Sequence, residues 1–257
     1  MPKASSILQL KQVSVLPRLL PMTAELHCGE LLHIIGPNGA GKSTLLARIA
    51  GLQAGGGEVY LAGMPLSQYS AADLAVRRAY LAQQHSPLAL MPVFQYWQRH
   101  QPPLAEENAV EEVVHLLAEH LKLTDKLARP LAQLSGGEWQ RVRLTAALLQ
   151  IWPTINPHAR LLLLDEPFNS LDVAQQAALD LLLSELCRQG VAVVMCAHDL
   201  NHSAQHADRV WLLSEGALVA QGNTADVMLP DVLSPVFGVA FHCVDVDGHR
   251  WLMTRRA

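Results

Sequence analysis

GELLHIIGPNGAGKSTLLARIAG, residues 29–51, contains the stretch that decides the fold. Glu30–Ile35 has the length and apolar content of a buried strand. Gly36-Pro37-Asn38-Gly39-Ala40-Gly41-Lys42-Ser43-Thr44 follows at once and matches GxxxxGK[ST]. A helix is expected from Lys42 to Ala50, stopped by Gly51. Strand, glycine-rich turn and helix in this order form a phosphate-binding loop. Its glycines let backbone N–H groups turn inward around phosphate oxygens, and the helix start adds a positive dipole end. Lys42 is placed to bridge the β- and γ-phosphates and Ser43 to ligate Mg2+.

Outward from this stretch, strand-like and helix-like segments alternate, which is the α/β pattern. Val59–Ala62 reads as a short strand after Gly55-Gly56-Gly57. Residues 84–103 are rich in proline, glutamine and aromatics and read as irregular loop. Val110, Val113, Val114, Leu117, Ala118 and Leu121 recur with helical spacing and predict one apolar helix face. A further helix is expected after Ser135, a strand at Leu161–Leu164, a helix from Val173 to Gln189 and a strand at Val191–Ala197. Two hairpins are expected. One joins Trp211–Leu213 to Ala217–Ala220, and the other joins Phe241–Val246 to His249–Met253 around Asp247-Gly248.

Leu161–Leu164 ends in Asp165-Glu166-Pro167, two carboxylates at the carboxyl end of a buried strand. Ligands of open α/β sheets bind at such ends. Asp165 there suits a Mg2+ ligand, and Glu166 a base that orients and deprotonates an attacking water. Leu134-Ser135-Gly136-Gly137-Glu138-Trp139-Gln140-Arg141 reads as a capped helix start open to close approach by an anion.

This last segment resembles the signature sequence of ABC ATPases, and the motifs stand in that family's order along nearly the whole chain. The resemblance implies a P-loop NTPase of the ABC ATPase type, with a RecA-like core, an antiparallel β subdomain and a helical insertion. Its expected division is 1–83 with 151–257 as core and β subdomain, and 84–150 as the insertion. ATP and Mg2+ are the implied cofactors. Gly36 to Thr44 would cradle one ATP, while Ser135, Gly136 and Gly137 of a second copy would close on its γ-phosphate. The family thus implies a homodimer. Gln83 resembles the Mg2+-sensing glutamine, with Gln84 beside it as the alternative. Asp172, in Ser170-Leu171-Asp172, resembles the loop that touches the partner's site. His198 resembles the switch histidine that meets the γ-phosphate. His198 also stands four residues before His202 and eight before His206. It lies at a strand–helix junction rather than on the helix, so no metal face is expected.

Two departures from the family stand out. Val13–Arg18 lacks the aromatic that usually stacks on adenine, leaving Arg18 or aliphatic contacts to hold the base. Phe168-Asn169 replaces the usual threonine-containing step after the catalytic acid.

Within the family, Gln133 to Asp180 is most similar to ATPase subunits of bacterial cobalamin importers. That implies cobalamin import across the inner membrane, with a transmembrane permease dimer and, indirectly, a periplasmic substrate-binding protein. Siderophore and haem importers are the nearest rivals. The location implied is peripheral, on the cytoplasmic face of the inner membrane. The apolar and aromatic side chains between Gln84 and Trp97 (Leu88, Leu90, Phe94, Tyr96, Trp97) form the expected permease-docking patch.

Composition agrees with a globular motor. The chain has 257 residues, 50% of them apolar, and a net charge of −4, which disfavours broad nucleic-acid binding. Met1 to Lys11 does not read as a secretory leader, and no uninterrupted apolar run approaches ~18 residues. Cys28, Cys187, Cys196 and Cys243 form no CxxC pair and are expected as buried, reduced thiols.

Overall fold

The computed structural model describes residues 6–83 and 90–254. In chain order its strands and helices are β1 (Ser6–Val15), β2 (Leu19–His27), β3 (Leu31–Ile35), α1 (Lys42–Ile49), β4 (Gly56–Leu61), β5 (Met64–Pro65), α2 (Ala71–Arg77), β6 (Arg78–Leu81), α3 (Val93–Gln98) and α4 (Glu107–His120). They continue as α5 (Gly136–Ile151), β7 (Leu161–Asp165), α6 (Val173–Arg188), β8 (Ala192–Cys196), α7 (Leu200–His206), β9 (Arg209–Ser214), β10 (Ala217–Asn223), α8 (Thr224–Val227), α9 (Pro230–Phe237), β11 (Phe241–Val246) and β12 (His249–Thr254). Two compact units arise, one running to Gln68 and resuming at Val194, the other spanning Tyr69–Val193.

The first unit contains an antiparallel sheet in the order β2-β1-β4-β5. Its strands carry bulges between Leu10 and Val13 and between Val13 and Val15. Those bulges break the strict alternation that marks a strand in a sequence. In the same unit β3 pairs parallel with β9, and β9 pairs antiparallel with β10. Every residue of β3 is buried, so its run Leu-Leu-His-Ile-Ile carries no alternation. A core of Ile35, Ala197, Val210, Leu212, Val227, Met228, Leu233 and Leu252 fixes the end of β3 that feeds the glycine-rich loop. The β11–β12 hairpin forms in the expected register, with Val246 opposite His249 around the Asp247-Gly248 turn.

In the second unit β6 and β7 pair parallel, with Leu81 opposite Leu164. Helix α4 buries Val110, Val113, Leu117 and Ala118, the face its spacing predicts. Helix α5 is buried on nearly every side, from Trp139 to Ile151, and therefore shows no amphipathic stripe.

One expectation fails within the described part of residues 84–103. Val93–Gln98 is a helix, begun at Pro92 and anchored by Trp97, whose Nε1 donates to the Val142 carbonyl at 3.0 Å. Buried tertiary contacts here override a composition that reads as loop. The thiols also differ from expectation, since Cys196 is buried whereas Cys28 is exposed. Among the described residues no helix is long and apolar enough to cross a membrane.

Candidate active site

The first unit contains the phosphate loop. Gly36 leaves β3 with φ 147°, and a Cβ built on it would stand 2.1 Å from the Leu213 carbonyl oxygen. Only glycine lets the chain turn so close under β9. Gly41 is the N-cap of α1, and the helix opens on Lys42. Lys42 is 6% exposed, and its Nζ donates to the carbonyls of Gly36 at 2.8 Å and Pro37 at 3.1 Å. Its charge is therefore held across the loop, pointing back over the N-terminal turn of α1. Ala40 is buried, Pro37, Gly41 and Thr44 are half-buried, and Asn38, Gly39 and Ser43 face solvent.

Neighbouring turns brace the loop. Gly216, between β9 and β10, donates to the Ala40 carbonyl at 3.2 Å and accepts from Leu20 N at 2.8 Å. The β1–β2 turn is thereby pinned beside the phosphate loop. It bears Leu16, 68% exposed, where the sequence lacks an adenine-stacking aromatic. His198 lies in the same unit and is exposed. Ala197, just before it, donates its N–H to the Ile34 carbonyl at 3.1 Å. That bond sets the histidine-bearing segment against the strand that feeds the loop. His198 precedes α7, which Asp199 caps by accepting from Asn201 N and His202 N.

The second unit contains the acids and the signature. Asp165 is the last residue of β7 and is buried. Glu166 follows with φ 53°, a left-handed conformation that costs a glutamate roughly 1–3 kcal/mol. Asn169 Nδ2 donates to Glu166 Oε2 at 2.7 Å. Sequence reasoning noted Asn169 only as a departure from family pattern. Its spacing of three from Glu166 within a tight turn is the signal that could have found the contact. Gln83 stands exposed just beyond β6. The register Leu81↔Leu164 brings it off the same strand ends as Asp165. Gln84 lies outside the described residues.

Ser135 caps α5 in a reciprocal box. Its hydroxyl accepts from Glu138 N at 3.3 Å, while Ser135 N donates to Glu138 Oε2 at 2.8 Å. A Cβ on Gly137 would stand 3.0 Å from the Ser170 carbonyl, so the signature start and the Ser170-Leu171-Asp172 loop press together. Asp172 caps α6, accepting from Gln175 N at 2.8 Å. Farther along α5, Gln140 Nε2 donates to the Pro167 carbonyl at 3.2 Å, directly after the two acids.

The Glu138 carboxyl is held at about 2, first by the Ser135 backbone N–H and then by the Ser135 hydroxyl and Lys126. A folded value below the unfolded one means that this contribution is complete above the unfolded pKa of 4.5. It is then lost as pH falls toward about 2. Glu138→Gln is expected to flatten the loss of stability across that window, as measured by urea unfolding at stepped pH. An unchanged slope would remove Glu138 from the acid response.

The expected docking patch is only partly a surface. Leu88 lies outside the described residues, and Leu90 and Phe94 are exposed, Leu90 at 82%. Trp97 is core, and Tyr96 packs on Trp139 and His100. Beside Phe94 a cavity of about 470 Å³ opens between α3 and α4, lined by Trp97, Val110, Val114 and Leu127.

Comparison with known proteins adds the decisive observation: the sequence profile of the ABC transporter family matches residues 19–169. The chain belongs to the ABC transporter family. Its ATPase fold also matches a solved ATP-binding subunit of an ABC transporter with TM-score 0.78 at 24% identity, over 91% of this chain and 94% of that one. A nucleotide-free ATP-binding cassette matches with TM-score 0.69 at 22% identity, over 91% and 96%. Nearer in sequence is the vitamin B12 import ATP-binding protein BtuD of Pectobacterium atrosepticum. It is 82% identical over 250 residues, covering 97% of this ABC chain and all of that one. BtuD of Yersinia enterocolitica is 54% identical, covering 97% and 98%.

Proposed function

We propose that this chain is the ATP-hydrolysing subunit of a bacterial vitamin B12 importer. The observation that carries the reading is the 82% identity, along essentially the whole length, to a vitamin B12 import ATP-binding protein. The sequences of the phosphate loop, the paired acids and the signature support the same reading. The cargo follows from relationship rather than from a site.

Backbone N–H groups of Gly36 to Thr44 and the Lys42 ammonium hold the ATP phosphates. The donors suit Mg2+, being hard oxygen ligands that include a buried carboxylate, Asp165, at a strand end. Ser43, Gln83 and Asp165 would hold the ion, whose charge would offset that of the phosphate oxygens. Glu166, oriented by Asn169, takes a proton from the attacking water. His198 contacts the γ-phosphate as that bond breaks.

Two copies act together. Ser135, Gly136 and Gly137 at the start of α5 offer N–H groups and a positive dipole end to the γ-phosphate held by the partner subunit, and Asp172 lines the same contact. Closure of the pair drives a permease dimer, docked in part through Leu90, Phe94 and the cavity beside α3. Residues 84–150 would serve as the insertion that bears the signature, with 1–83 and 151–257 as core and β subdomain. The subunit sits peripherally on the cytoplasmic face of the inner membrane, and a periplasmic binding protein delivers cargo from the other side.

Cells lacking this chain are expected to lose uptake of labelled cobalamin and to regain it when the gene is restored. Normal cobalamin uptake together with lost siderophore or haem uptake would move the cargo assignment to that rival.

A further inference from the structure

Strand β3 carries one polar residue among four apolar ones, and it is fully buried. His33 has no exposed surface. Its Nδ1 lies 2.9 Å from Ser203 Oγ on α7, 170 positions away in the chain. The Ser203 hydroxyl has a single proton, and that proton is given to the Asp199 carbonyl at 2.9 Å. Nδ1 must therefore be the donor, and His33 carries its proton there. Nε2 is then a bare lone pair, in keeping with its lack of any hydrogen-bond partner. Burial, with His202 and His206 adding, pushes the His33 pKa down to about 3, so the ring is neutral at any working pH.

A leucine would fill this strand position without burying a polar ring. What the histidine adds is one directed bond, and its placement matters. His33 lies three residues before Gly36, the start of the phosphate loop. Asp199, whose carbonyl ends the relay, follows His198 directly and caps α7. Ala197, on the other side of His198, is already tied to Ile34 of the same strand. The switch histidine is thus bracketed by two attachments to β3. One is a backbone bond before it. The other is the His33–Ser203–Asp199 relay behind it, steadied by His33 stacking on His202 at 5.7 Å and 11°.

We propose that His33 is a positioning residue for ATP hydrolysis: through Ser203 it fixes the Asp199 carbonyl, and with it the aim of His198, against the strand that feeds the phosphate loop. The inference rests on reading His198 as the contact to the γ-phosphate.

ATP hydrolysis by the full chain tests it. His33→Leu should lower kcat roughly tenfold, the loss expected for one buried hydrogen bond, and leave KM for ATP within about twofold because Lys42 and its loop are untouched. Ser203→Ala should give the same loss, and the double variant no more than either alone. His33→Asn, whose side-chain N–H falls near the place of Nδ1, should recover most of kcat; His33→Gln, which reaches toward Nε2, should not. A role in packing alone would not distinguish the asparagine from the glutamine. If His33→Leu does not fold, that pair and Ser203→Ala decide the matter. Unchanged kcat in His33→Leu, additive losses, or equal rescue by asparagine and glutamine would each overturn the proposal. His198→Ala separates the two levels. Full turnover there removes the reading of His198 itself, whereas an inactive His198→Ala beside a fully active His33→Leu removes only the positioning role.

Discussion

Glu166→Gln is expected to lose at least ~10²-fold in kcat, the scale of general-base catalysis, while ATP still binds. The substitution keeps volume and shape. Asn169, which donates to Glu166 Oε2 at 2.7 Å, can donate equally to a glutamine oxygen, so the side chain keeps its direction. The left-handed backbone at this position is no easier or harder for glutamine than for glutamate. Basicity alone is removed. With hydrolysis blocked and both nucleotides held, two copies should remain closed. Phosphate release, calorimetry and light scattering with ATP read the three parts separately. Turnover near that of the parent would take Glu166 out of the mechanism, and a strictly monomeric particle under saturating ATP would remove the two-copy arrangement.

Lys42→Ala should act one step earlier, on binding. Its Nζ is buried over the loop and holds the carbonyls of Gly36 and Pro37. Removal takes away a charge held over the cradle and two bonds that shape it. Hydrogen bonds to charged groups contribute about 1.5–3 kcal/mol each, so ATP affinity should fall roughly 10²-fold or more. Calorimetry on the folded variant measures this. Unchanged affinity would mean that the loop is not the phosphate cradle.

The segments legible in the sequence were those where local pattern and tertiary role agree. The run into Gly36, the leucines before Asp165 and the serine cap of α5 each announce themselves within about ten residues. What escaped depended on distant partners. Helix α3 exists because Trp97 reaches Val142 across 45 positions, which no window over residues 84–103 can reveal. The bulged β1 and β2 have no clean alternation, so an antiparallel β subdomain was available only through family resemblance. His33 read simply as part of an apolar strand, because Ser203 lies in the far end of the chain. Asn169 was visible as an oddity, but its hold on Glu166 required the turn that brings the two side chains together.

The bond from Gln140 to the Pro167 carbonyl has a bearing on tempo. In the proposed two-copy arrangement it would tie the helix offered to the neighbour's nucleotide to the backbone that follows each copy's own Glu166. A subunit of such a pair would then not take hold of the opposite ATP without tugging on its own chemistry. A mixed pair with one disabled member should consequently stall as a whole instead of running at half pace.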